Sequence, residues 1–179
     1  MSSQINLTNL PSLLKKFLII YLIVISLGVT VGLIYVADTT SMKQNGIVER
    51  WKGSPQNGEE IPEQYEKGFS EMLMTTHNHI IGFSFIFLQI GFIFYFNSII
   101  KGFWKSFLMI EPFISIVLTF GSIWLMRFIS EQFVYLTIIS AVTMYTAFFV
   151  MVIFSIYDLT KKQLNGFSES SSTKLRVWM

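Results

Sequence analysis

The chain has 179 residues, 52% of them hydrophobic and only 13% charged, with a formal net charge of +2. A chain this apolar and of single-domain length reads as a membrane protein rather than a soluble domain. It contains no Cys, which excludes disulfides, thiolate metal sites, iron–sulfur clusters and Cys-x-x-Cys-His haem attachment. The absence of a basic stripe interleaved with aromatics, and of a P-loop or Gly-rich dinucleotide fingerprint, argues against nucleic acid and nucleotide as partners.

The predicted fold class is all-α: an integral membrane four-helix bundle with one long extracytoplasmic loop between helices 1 and 2. A 1–16 segment precedes the membrane domain at 17–157, and a 158–179 tail follows it. Its spans are expected at about 17–37, 77–97, 105–127 and 132–157, each near or above the roughly 17–25 residues a tilted spanning helix needs. The 18 Phe residues are spread through all four apolar stretches and suit lipid contact and helix packing.

The first span follows Lys15 and Lys16. Its apolar run is longer than a signal-peptide core, and Tyr35-Val36-Ala37 is not a small-residue cleavage site, so an uncleaved anchor is expected. Gly28 and Gly32, four apart with Ser26 and Thr30 nearby, predict close helix–helix approach. Lys15, Lys16, Lys101, Lys105, Lys161, Lys162, Lys174 and Arg176 fall on one side of the membrane, and Lys43, Arg50, Lys52, Lys67 and Arg127 on the other. The excess places both termini in the cytoplasm of a bacterial plasma (inner) membrane.

The 38–76 loop is too short to bury its own core. Its first half, with Gly46, Gly53, Ser54, Pro55, Asn57 and Gly58, reads as turns and irregular chain. From Pro62 onward, acidic residues at a helix N-terminus and an uninterrupted run predict that the second helix begins in the loop. Tyr65, Phe69, Met72, Thr76, His79 and Phe83 share a helical stripe, expected to pack on the bundle.

Both histidines, His77 and His79, lie where this helix enters the membrane. A spacing of two puts them on nearly opposite sides of a helix, so they do not chelate one ion together. Glu71, Thr75, Asn78, Gly82 and Gln89 form a polar stripe expected to face the bundle interior. Three readings remain open for the outer site. His79 binds haem b or a transition metal with help from Met72 or Met126; Met72, Met74, His77 and His79 form Met/His pairs suited to copper; or the histidines are hydrogen-bonding groups near Glu71 or Glu131. No second histidine stands on a facing helix, so bis-His haem ligation requires a homodimer or a partner subunit.

In the third span, Glu111 is the one ionisable residue well inside an apolar stretch, with Ser115 and Ser122 on its face and Pro112 beside it. It is either a proton- or cation-handling carboxylate or a hydrogen-bonded tie between helices. In the fourth, Gln132, Tyr135, Thr143, Thr146 and Tyr157 are expected to act as interhelical glue. The tail, with its run from Ser168 to Ser172 and an amphipathic end at Lys174 to Met179, reads as a disordered segment touching the membrane surface.

The run Glu71-Met72-Leu73-Met74-Thr75-Thr76-His77-Asn78-His79 resembles a group of small bacterial inner-membrane proteins with four spans and a Thr-His-x-His signature. The resemblance implies the topology and draws attention to Thr76, His77 and His79, without implying a reaction. No nucleophile with a base partner is evident, so enzymatic activity is not expected. The functional expectation is an accessory or redox-associated membrane component whose outer histidine region contacts metal, haem or a partner. The alternatives are a small transporter or proton-conducting element using Glu111, and a structural subunit of a homo-oligomer or larger membrane complex.

Overall fold

The structure is a computed structural model that describes residues 6–55, 62 and 64–161. The expected tail lies outside these residues beyond Lys161, as do Asn57 and Gly58 of the outer loop. Among the described residues the chain is all-helical. A 3₁₀ turn at Leu7–Asn9 leads into α1 (Ser12–Thr40), α2 (Gln44–Lys52), α3 (Phe69–Tyr95), α4 (Phe103–Phe128), a second 3₁₀ turn (Glu131–Phe133) and α5 (Val134–Thr160).

Four of these helices, α1, α3, α4 and α5, are long and apolar enough to cross a membrane. At 1.5 Å per residue the 27 residues of α3 extend about 40 Å, more than the roughly 30 Å of a hydrocarbon core. Polar residues at its N-terminal end therefore stand at or above the interface. Both ends of the described chain meet at one end of the bundle: Leu7 N–H donates to Phe96 O at 3.1 Å, and Lys15 and Lys161 line a shared cavity. Residues 41–55 and 64–68 lie at the opposite, loop end.

The core is a three-helix unit. The α4–α5 interface is the most extensive, and α3 packs on both. Phe87, Ile90 and Phe94 from α3, Ile116, Ile123 and Met126 from α4, and Met144, Phe148 and Met151 from α5 fill it. Since lipid is as apolar as these side chains, close packing and polar contacts rather than the hydrophobic effect hold such a unit together. α1 is peripheral: 11% of its spanning window is buried, against 44% for α4. It touches mainly α5 and α2.

Gly28 and Gly32 do not bring α1 close to a neighbour. A Cβ at either meets nothing within 4 Å. Both line an apolar cleft of about 210 Å³ with Phe83, Ile86 and Tyr145, so the expected close approach is replaced by a gap.

Two features of the loop differ from the sequence reading. The first half is not irregular: it folds back as α2, with Ile47, Val48 and Trp51 packed on the core. Lys52 Nζ pairs with Glu131 at 2.7 Å, and Arg50 Nη2 donates to the Tyr35 hydroxyl at 2.6 Å. Second, α3 begins inside the loop as expected, but at Phe69 rather than near Pro62. The chain before it is held extended against α2, with Ser54 N–H donating to Gln64 O at 2.9 Å and Lys67 N–H to Trp51 O at 3.1 Å. These bonds use backbone groups that a helix there would need.

Gly46 makes the fold-back possible. A Cβ at this position would lie 2.1 Å from Thr40 O and 2.8 Å from Thr40 C, both backbone atoms that cannot step aside. Gly46→Ala is expected to displace α2 at a local cost of about 1–3 kcal/mol. The readout is faster tryptic cleavage after Arg50 and Lys52, with the membrane helices intact; an unchanged cleavage rate would remove this role for the glycine.

Candidate functional site

At the loop end of α3 part of the stripe packs onto α4, as the sequence reading expected. Met72 is fully buried, Thr76 Oγ1 accepts from Trp124 Nε1 at 2.9 Å, and Phe69 meets the Trp124 ring edge-on at 5.2 Å. One turn deeper, the His79 ring lies 5.3 Å from Phe120 and 6.0 Å from Phe83. Tyr65 is outside the helix and exposed. Arg127 closes this end, paired with Glu66 at 2.9 Å, while Lys67 pairs with Glu71 along the helix.

His79 Nδ1 lies 2.8 Å from Thr75 O. A carbonyl only accepts, so Nδ1 carries a proton, and Nε2 is the ring nitrogen left to meet a ligand. This is the orientation that a backbone carbonyl commonly imposes on a ligating imidazole. His77 is exposed on another side of the helix. Met72 and Met126 are both completely buried. Among the described residues no three His, Cys, Asp or Glu side chains group to hold a metal. Any ion or haem reached by His79 Nε2 therefore needs further ligands from elsewhere.

The polar stripe of α3 does not face the interior of this chain's bundle. Glu71, Asn78, Gly82 and Gln89 are exposed and Thr75 is half-buried, whereas the buried face carries Met72, Phe87, Ile90, Gly91 and Phe94. Gln89 Oε1 accepts a hydrogen bond from the Tyr21 hydroxyl of α1. The stripe runs on an outward surface with Met74, Ile81, Phe85, Leu88 and Phe92.

The interior polar groups are instead between α4 and α5. Ser115 Oγ bonds the Glu111 carboxylate and lies 3.1 Å from Thr143 Oγ1. Thr119 Oγ1 donates to Ser140 Oγ at 2.8 Å, and Ser122 Oγ is 2.7 Å from Thr137 Oγ1. The Ser115, Ser122 and Glu111 face was visible in the sequence; Thr119, Thr137 and Ser140 were missed. Gln132, Tyr135, Thr146 and Tyr157, expected as glue, are exposed. Most ladder hydroxyls also bond a carbonyl of their own helix, as Ser140 does with Leu136 at 2.7 Å and Thr143 with Ser140 at 3.0 Å. That arrangement ties helices together. Glu111 Oε2 is buried with no hydrogen-bond partner among the described residues.

A second missed cluster closes the terminal end. Asp158, fully buried, accepts from Ser98 N at 2.6 Å and Ser98 Oγ at 2.7 Å. Asn97 Nδ2 donates to Phe154 O at 2.9 Å, and its Oδ1 accepts from the Ile99 and Ile100 N–H groups. The signal was the buried register Met144, Met151, Ser155, Asp158 on α5, which continues into residues assigned to the tail.

A family model described as a transmembrane helical domain matches residues 41–165. The match begins where α1 ends and takes in α2 through α5, including the three-helix core of α3, α4 and α5. No curated protein and no solved structure matches the chain.

Proposed function

The chain belongs to the Aq_1264_TM family of transmembrane helical domains, and we propose that it works as an accessory subunit that pairs with a second copy of itself in the membrane. The contact face is the outward polar stripe of α3, and the histidine region lies at the outer end of the seam. The observation that carries this reading is the exposure of Asn78 and Gly82 on one face of a spanning helix, a face on which Gln89 also meets Tyr21 of α1. Polar side chains in a span are costly against lipid and normally face protein.

Primary amides both donate and accept, so the same residue on two copies can satisfy itself across a twofold axis. Gly82, with open space where a Cβ would stand, permits close backbone approach between the amides. In such a pair His77 and His79 of each copy flank the Asn78 seam. Two histidine regions then supply what a single chain lacks for haem or metal ligation, and His79 Nε2 is oriented for it.

The test is the mass of the purified protein in lipid nanodiscs, with its visible spectrum and metal content. Two copies per disc, with colour or bound metal that His79→Ala removes, is the expected result. One copy per disc overturns the pairing; two copies that stay colourless and metal-free after haem and copper reconstitution remove the ligand and leave a structural subunit.

A second reading rests on Glu111. A carboxylate inside a span with one buried oxygen unpartnered is the kind of group that handles protons or cations. Loss of proton flux in Glu111→Gln proteoliposomes would support it, and absence of flux in the parent protein would remove it.

A further inference from the structure

The terminal end of the bundle holds a cavity of about 710 Å³ between the N-terminal segment, the first turns of α1 and the last turn of α5. Thr8, Ser12 and Thr160 line it with hydroxyls, and Lys15, Lys16 and Lys161 with ammonium groups. Lys15 Nζ donates to Thr8 O at 2.7 Å, which holds the N-terminal segment against α1. Lys161 lies over the Tyr157 ring at 5.0 Å. None of the three is in an ion pair among the described residues.

Among the described residues the surroundings do not supply the missing negative charge. Over residues 6–20, 96–106 and 155–161 the only acidic side chain is Asp158, and both its oxygens are taken by Ser98. Lys101 and Lys105 add further positive charge at the same end. Lys15 and Lys16 directly precede the apolar run of α1, and Lys161 directly follows α5. The cavity therefore stands at the level of the lipid headgroups, and Leu10, Ile19 and Leu159 on its wall extend it towards the hydrocarbon.

We propose that this cavity binds the phosphate headgroup of an anionic phospholipid through Lys15, Lys16 and Lys161, with the acyl chains running down the exposed apolar face of α1. The charge complement, the hydroxyl donors and the depth select this ligand. Basic pockets between helices at a membrane surface suit such headgroups, and each surface lysine adds roughly a fivefold preference for an anionic lipid.

The test is native mass spectrometry of the full-length protein released from micelles with equal amounts of dioleoylphosphatidylglycerol and dioleoylphosphatidylcholine. At least about tenfold enrichment of the phosphatidylglycerol adduct is expected, falling to parity in Lys15→Gln/Lys16→Gln/Lys161→Gln. Because Lys15 also ties down the N-terminal segment, Lys16→Gln/Lys161→Gln is the second variant and should lose most of the enrichment. The triple Lys→Arg variant should keep it, as should Lys43→Gln at the opposite end. Equal retention of the two lipids by the parent protein overturns the proposal without reference to any variant. So does displacement of the lipid by millimolar inorganic phosphate, which would make this a free-anion site, or undiminished enrichment in the folded triple Gln variant.

Discussion

Replacing Asp158 by alanine is expected to lower the resistance of the protein to unfolding by about 3 kcal/mol or more. The carboxylate is 0% exposed and accepts two hydrogen bonds from Ser98. Bonds to a charged group contribute about 1.5–3 kcal/mol each, and their loss leaves Ser98 donors without partners. Position raises the stakes: a carboxylate in the last turn of a helix opposes the helix dipole. It persists because the Ser98 N–H and hydroxyl hold it there. Lys105 donates to Tyr95 O and Asn97 O, both at 2.7 Å, so the α3–α4 turn is fastened to α5 by one connected network. Asp158→Asn keeps acceptor capacity and should lose about half as much. The measurement is detergent unfolding followed by tryptophan fluorescence; an Asp158→Ala protein as stable as the parent would show that the network holds nothing.

Gly82→Leu is expected to weaken self-association by about tenfold or more while leaving the fold of each chain unchanged. Within one chain a Cβ at Gly82 meets nothing within 4 Å, and the position is exposed, so the substitution is expected to cost little there. In a pair that packs through the Asn78–Gly82–Gln89 face, a leucine at the centre holds the two backbones apart. Separating them forfeits packing and amide hydrogen bonds that together supply about 1–3 kcal/mol. Subunit exchange between differently labelled copies in liposomes reads this out. Unchanged association would move the contact to another face.

Much of the fold was legible because a span is written in length and apolarity. The four membrane helices and the loop between the first two follow from hydropathy, and Glu111, Ser115 and Ser122 share a face by their spacing. What failed has physical reasons. The nine-residue α2 carries no long apolar pattern and contains a glycine that, in sequence, reads as a turn; its role depends on the Thr40 carbonyl, a contact made only after folding. The start of α3 was misplaced because backbone bonds from Ser54 and Lys67 compete with helix formation. Gly28 and Gly32 mark a cleft because α1 is bound loosely. The polar stripe of α3 was given the wrong side for a deeper reason. Periodicity shows that Asn78, Gly82 and Gln89 share a face; it does not say whether the protein that face meets belongs to the same chain.

That ambiguity is also where the proposed function is most exposed to test. The chain has no cysteine, so a single Asn78→Cys variant in native membranes reports contact without background. Rapid oxidation to a disulfide-linked dimer at Asn78, with none for Val117→Cys on the exposed face of α4, is the predicted result. A monomer at both positions, or equal dimer at both, would contradict the account.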